Sequence, residues 1–361
     1  MFLNAAEIEA CTRWLLDNAS APVKYLTHKY LLKADPHSSQ MQALWQAVEH
    51  SPEAREIFSR QNADGSWFSG GPWGPQGYRR QTGYTPDRPK FVTTAWILPF
   101  LGEMGFTVQD ERVRKGCEYI LREIHYPPSG AATLAENCCG LYAIPLRACA
   151  SVGLTGDERI QGGWEQFVHC QRSDGGWLNP NHLPDARTPS TTQGRWPWER
   201  SCAWGSTFAA QALFYSENPQ HKPALRSALE FLRWHLAEKD ETHVRTWVYH
   251  GHNTVKELLM FSTAGMDMNV KPIPAMLDWL KGHYRPQEGH FRAQKKPIAD
   301  FLRQINAIMK NYSDRYGEAY WESVPKVSAP ILRYQLYHLV EDGWLTYTAA
   351  RIAQNMLFIR G

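Results

Sequence analysis

The sequence predicts an all-α fold, an α/α toroid in which six helical hairpins form one ring around a central cavity. Three observations carry this: a hairpin-length internal repeat, a recurring turn motif that ends in Trp, and an alternation of charge-poor with amphipathic helices. Repeat-built helical folds run to 361 residues as one unit, so residues 1–361 are read as a single domain.

The repeat is clearest between LPFLGEMGFTVQDERVRKGCEYIL, starting at Leu98, and IPLRACASVGLTGDERIQGGWEQFV, starting at Ile144. Gly105 matches Gly153, and the run from Asp110 to Val113 matches the run from Asp157 to Ile160. Looser copies follow at 202–236 and at 258–280, the latter with Gly265 in the glycine place. The terminal units, 23–67 and 327–359, are less regular, as end repeats are. In each unit a small-residue, apolar helix such as VTTAWILPFL precedes a Gly-containing turn. A helix with Arg, Lys and Glu at regular intervals follows, as in DERVRKGCEYILREI. A helix apolar all round is buried and one with a charged face sits outside, so inner and outer helices alternate.

Composition narrows the function classes. Hydrophobic residues at 43% and charged residues at 21% describe an ordinary globular chain with material for a core. A net charge of +3 gives no bulk electrostatic support for a nucleic-acid partner. No signal-peptide pattern opens the chain and no stretch of 18 apolar residues occurs, which predicts a soluble protein without a transmembrane segment and leaves peripheral membrane contact open. An odd seven cysteines in a chain this size point to free, buried or metal-bound thiols and a cytoplasmic location.

The turn motif runs Gln61-Asn62-Ala63-Asp64-Gly65-Ser66-Trp67 and recurs as Gln171-Arg172-Ser173-Asp174-Gly175-Gly176-Trp177, with a degraded third copy from Gln287 to Phe291. Asp-Gly makes the turn, Gly permits positive φ, Trp packs back between neighbouring outer helices and Gln bonds a helix end. These segments resemble the QW repeats of squalene–hopene and oxidosqualene cyclases, also seen in protein prenyltransferase β subunits. Counted by hairpins, the resemblance covers nearly the whole chain. It implies the toroid and an enzyme of the terpenoid cyclase or prenyltransferase type, acting on a hydrophobic, isoprenoid-like small molecule with an anionic head. The D-x-D-D acid motif of the cyclases and the D-D-x-x-D diphosphate motif are both missing, so no catalytic acid carries over to this sequence.

In a hairpin ring the N-termini of all inner helices share one rim, where unpaired N–H groups favour anions and lower thiol pKa values. The sequence places Thr93 and Thr94, then Cys138 and Cys139, then Cys202, then His250 and His252 at successive inner-helix starts. Cys139, Cys202 and His252 form the candidate catalytic and metal-ligating set, because two thiolates and an imidazole suit zinc with an open fourth position. Related toroids support that cofactor: prenyltransferases bind zinc through Asp, Cys and His, and lanthionine cyclases through two Cys and one His. The spacings here match neither motif closely, and plain packing as a small hydrophobe is the stronger reading of these cysteines. Cys117 and Cys149 read as structural, and Cys170 beside His169 reads as an outer-helix end.

Two long segments, 68–90 and 178–200, are expected to meet the same rim. They bring Arg79, Arg80, Arg88, Lys90, Arg187, Arg195 and Arg200 to one face, and of these Arg79, Arg80, Arg195 and Arg200 are the candidate anion-binding set. Trp96, Tyr142, Trp204 and Tyr249, with Tyr25, are candidate cavity-lining aromatics that could stabilise a carbocation. His28 and His338 are secondary acid–base candidates. A zinc enzyme of another chemistry, and a binding scaffold that kept the ring without the reaction, stand as alternatives.

Overall fold

The protein is described from a computed structural model, which covers residues 2–67, 88–123, 139–177, 201–238, 248–249, 252–293 and 337–360. It is an all-α protein. The helices are α1 (Ala5–Asn18), α2 (Ala21–Leu26) continued by a π turn (Thr27–Leu31), α3 (Ser39–Glu49), α4 (Pro52–Ser59), α5 (Arg88–Met104), α6 (Glu111–Glu123) and α7 (Cys139–Ser151). They continue as α8 (Glu158–His169), α9 (Ala203–Phe214), α10 (Lys222–Ala237), α11 (Thr254–Thr263), α12 (Ile273–Lys281) and α13 (Asp342–Arg360). Two short antiparallel pairs interrupt the helices: β1 (Val248–Tyr249) with β2 (His252–Asn253), and β3 (Tyr284–Arg285) with β4 (His290–Phe291).

The repeat reads directly onto these elements. Asp110 and Asp157 open α6 and α8, each carboxylate accepting the backbone N–H two residues on, at 2.8 and 2.9 Å, and holding Arg112 or Arg159 as an ion pair. Arg159 also reaches back to Glu118, tying α8 to α6. Gly105 and Gly153 take φ of +104 and +83 at the ends of the two preceding helices, the left-handed conformation that Gly adopts without a Cβ penalty.

The turn motif is a docking module. Trp67 and Trp177 are buried, and their indole N–H groups donate to the carbonyls of Ile57 and Phe167, at 2.9 and 2.8 Å. Gln61 and Gln171 each donate to the Gly carbonyl of their own turn and to a carbonyl in the first turn of the next amphipathic helix, Arg112 of α6 and Ala224 of α10. The backbone N–H of the aromatic residue then donates to a hydroxyl in the next charge-poor helix. Trp67 reaches Thr94 of α5, Trp177 reaches Ser206 of α9, and Phe291 reaches Thr346 of α13, each at 2.9 Å. The third, degraded copy therefore docks like the other two. Thr94→Val removes the acceptor from a buried N–H, and we expect a loss of about 1–3 kcal/mol, read as a lowered urea midpoint at unchanged m-value.

The same module shows where α1 belongs. A Cβ on Gly65 would meet the carbonyl of Lys115 on α6, and one on Gly175 the carbonyl of Ser227 on α10. The third copy's Gly289 faces Ala10 of α1 in the same way. The repeat reading leaves α1 outside any hairpin. In the structure it lies against α13 as α6 lies against α5 and α10 against α9. Trp14 of α1 stacks on His290 at 4.4 Å, and Glu7 pairs with Lys281 of α12.

One element starts earlier than expected. Thr93 and Thr94 do not begin their helix; α5 starts at Arg88, so both hydroxyls lie well inside it, fully buried. Pro89 explains this, since its fixed φ and missing N–H suit the first turn of a helix. Arg88 and Lys90 accordingly belong to α5 and not to the preceding segment.

Candidate functional site

The charge-poor helices carry few ionisable side chains, and several of these meet. Glu103 near the end of α5, Arg147 of α7, Gln211 of α9, Lys256 of α11 and His338 just ahead of α13 all line one cavity of about 40 Å³. Pro99, Phe214, Leu259 and Met260 supply an apolar wall to the same space. Five segments far apart in sequence thus converge on a volume that takes roughly three waters or one small polar head group.

Glu103 is the hub. Its carboxylate receives a hydrogen bond from His338 Nε2 at 2.9 Å and pairs with Lys256 Nζ at 3.3 Å. Burial opposes its ionisation, but the Lys256 charge and His338 outweigh burial and hold the carboxyl at about 2. Lys256 also lies 4.9 Å from the Tyr337 ring centroid. Burial pushes both Lys256 and His338 below their ordinary values, with Glu103 opposing the shift in each case.

The proton on His338 can be assigned from its neighbours. Nε2 faces an ionised carboxylate and so carries a hydrogen, while Nδ1 lies 2.8 Å from the Thr348 hydroxyl, which itself donates to the Trp344 carbonyl at 2.9 Å. A carboxylate held near 2 is a poor base at neutral pH. The arrangement is consequently suited to fixed electrostatics more than to proton transfer.

Arg147 and Gln211 form the other half of the cavity. Arg147 is 4% exposed and Gln211 6% exposed. Arg147 Nη1 donates to Gln211 Oε1 at 2.6 Å, and the guanidinium lies 5.0 Å from the Phe208 ring centroid. Burial lowers the Arg147 pKa to about 10, which leaves it charged at neutral pH. Among the described residues, Arg147 Nε and Gln211 Nε2 are both buried and find no hydrogen-bond partner. Tyr215 stands beside them, its hydroxyl kept protonated by burial, with the Glu103 charge acting in the same direction.

Some of the residues expected from the sequence can be placed by their elements. Cys139 opens α7, Cys202 is the N-cap of α9, and His252 lies in β2 immediately before α11, so all three stand at the starts of successive charge-poor helices. The Cys202 sulfur accepts from the Gly205 N–H at 3.5 Å, a capping role, and the residue is buried. The side chains of Cys139 and His252 lie outside the description, as do those of Trp204 and Tyr249. Arg79, Arg80, Arg195 and Arg200, with Arg187, Cys138 and His250, are outside the described residues altogether. Trp96 and Tyr142 are buried in α5 and α7 and are not among the cavity-lining side chains. Among the described residues, no group of three or more His, Cys, Asp or Glu side chains could hold a metal ion. Of the earlier candidates whose side chains are described, only His338 lines the cavity. The signal for two of the rest was a lone charge in an apolar stretch, Glu103 in LPFLGEMGF and Arg147 in IPLRACAS, whereas Lys256 in TVKELLMF stands beside Glu257.

No family model matches the chain, and no curated protein matches it.

Proposed function

We propose that this chain is a closed α/α toroid that binds, at its centre, the anionic head of an apolar substrate. The observation that carries the binding reading is the convergence of Arg147, Gln211 and Lys256 on one cavity, with Arg147 held by Gln211 at 2.6 Å. The ring reading is supported by the third turn motif, which seats α13 and α1 as the first two seat α5 with α6 and α9 with α10. With α2 paired to α3, α7 to α8 and α11 to α12, that makes six hairpins, the last formed from the two ends of the chain.

Within the terpenoid cyclase and prenyltransferase likeness, the site favours binding over cyclisation. Its carboxylate is tied to Lys256 and His338 and is held ionised, whereas protonating an alkene needs a carboxylic acid that is still protonated. No helix among the described residues is long and apolar enough to cross a membrane, so an apolar substrate would reach the ring from solution or from a membrane surface.

Solvent extraction of natively purified protein, followed by mass spectrometry, tests the reading. An apolar molecule with an acidic head should be recovered from the wild type and should be depleted from Arg147→Met. Equal recovery from both proteins would end the proposal.

A further inference from the structure

We infer that the seam between the π turn and the end of α13 is a membrane-docking surface, whose partner is a bilayer with anionic head groups. It adds an interaction surface to the central site just proposed and stands on different residues.

The seam gathers exposed apolar side chains. Among the described residues six large apolar side chains are exposed, and four of them belong here: Tyr30 and Leu32 at the π turn, Leu357 and Phe358 near the end of α13. The two elements touch. Gln354 Nε2 donates to the Leu31 carbonyl at 3.0 Å, Lys33 Nζ lies 4.2 Å from the Phe358 ring centroid, and the Arg351 guanidinium lies 4.4 Å from that of Tyr30. Phe358 is 63% exposed and Leu32 47%, which leaves apolar area in water for a partner to cover.

Charge decides which partner. Lys29 Nζ lies 5.2 Å from the Tyr30 ring centroid, so cations are interleaved with the apolar groups. From Val23 to His37 the chain has three lysines and one acid, Asp35, whose carboxylate accepts the His37 N–H at 2.9 Å. From Gly343 to Phe358 it has Arg351 and no acid. Such a surface suits an anionic bilayer, with rings and methyl groups at the acyl boundary and ammonium groups on the lipid phosphates. A second copy docked by two-fold symmetry would set this basic patch against itself. A side chain as exposed as Phe358 also needs no matching pocket in a bilayer, which yields around it.

The backbone at Lys33 is an independent sign. Its φ of +52 is the one positive φ outside glycine among the described residues. It caps the end of the π turn, where the Ala34 N–H donates to the His28 carbonyl at 2.9 Å. Gly is the ordinary residue in that place, since a side chain is strained in the left-handed region. A lysine there accepts the strain and sets its ammonium over Phe358, beside the apolar patch.

Arg351 joins this surface to the central site. It packs on Tyr30 and donates to the Tyr347 hydroxyl at 3.3 Å. Burial raises the pKa of Tyr347 and of the cavity-lining Tyr215, and the Arg351 charge opposes the rise in both.

Flotation of the full chain with vesicles of phosphatidylcholine alone, and of phosphatidylcholine mixed with phosphatidylglycerol, tests this. The protein should float with the mixed vesicles, and binding should fall as salt is raised. Lys33→Gly, which relieves the backbone and so leaves the protein folded, should weaken binding roughly fivefold. Phe358→Ser should weaken it about tenfold. No binding to the mixed vesicles, equal binding to both kinds, or binding indifferent to both substitutions overturns the proposal. Binding to poly-L-glutamate without vesicle binding also overturns it and assigns the surface to an acidic polypeptide. A dimer in light scattering that Phe358→Ser dissolves, with vesicles left unbound, overturns it in favour of a second copy. None of these results bears on ligand recovery from Arg147→Met, so the central site stands or falls separately.

Discussion

Gly175→Ala is expected to cost about 2–5 kcal/mol of unfolding free energy. A non-glycine residue in the left-handed region costs about 1–2 kcal/mol, and forcing a methyl into a packed contact adds about 1–3 kcal/mol. Gly175 has φ +88, and a Cβ there would lie 2.3 Å from the Ser227 carbonyl oxygen, a backbone atom that cannot rotate away. Gly153 supplies the control. Its φ is +83 and nothing lies within 4 Å of its Cβ position, so Gly153→Ala should lose only the conformational part. Urea unfolding of both variants separates the two contributions. Equal losses would mean that the turn does not dock rigidly on α10.

Glu103→Leu should destabilise by about 3–5 kcal/mol, because removing one partner of a buried ion pair strands the other. Lys256 would keep its charge with only 14% of its side chain exposed, and His338, 1% exposed, would lose the acceptor for its Nε2–H. The double variant Glu103→Leu, Lys256→Met should recover most of the loss, since an apolar pair of similar volume is tolerated where a lone charge is not. Failure of the second substitution to rescue the first would show that the pair is solvated.

The pH dependence carries the same information. The native carboxyl sits at about 2 against an ordinary 4.5, so the folded form holds fewer protons than the unfolded form between those values. The stabilisation is complete above about pH 4.5 and is lost as the pH falls through 4.5 toward 2, by on the order of 3 kcal/mol. Burial lowers the His338 value too, which also makes stability rise with pH just below 6.5. Glu103→Leu should flatten the acid limb of a stability profile taken between pH 2 and 5.

The helices and their turns were legible in the sequence because their signals are local and repeated. The Asp-Glu-Arg run at 110–112 and 157–159 marks helix starts, and Gly65 and Gly175 mark turns that only a positive φ closes. Even the degraded copy around Gly289 keeps its partner in Thr346, although the motif's Trp has become Phe291. The cavity was less legible. Its members lie on five segments, and none forms a motif with another, so only the folded arrangement joins Glu103 to His338. Thiols and imidazoles at helix starts drew attention because their chemistry is familiar. The informative residues were the isolated charges Glu103 of α5 and Arg147 of α7, where burial costs several kcal/mol unless a partner waits across the interior.

The docking of α1 on α13 also has a kinetic side. Every other hairpin joins neighbours in the chain and can form as soon as its two helices emerge during synthesis. The contact between Trp14 and His290, and the seating of Gly289 against Ala10, instead couple α1 to segments far along the chain. Such non-local closure is slow, because loop entropy must be overcome before the contacts return anything. Until then the apolar flank of α13 stays uncovered. A chain in which α1 has yet to dock therefore carries an adhesive face, which is the stage at which a chaperone or a second chain would find it most receptive.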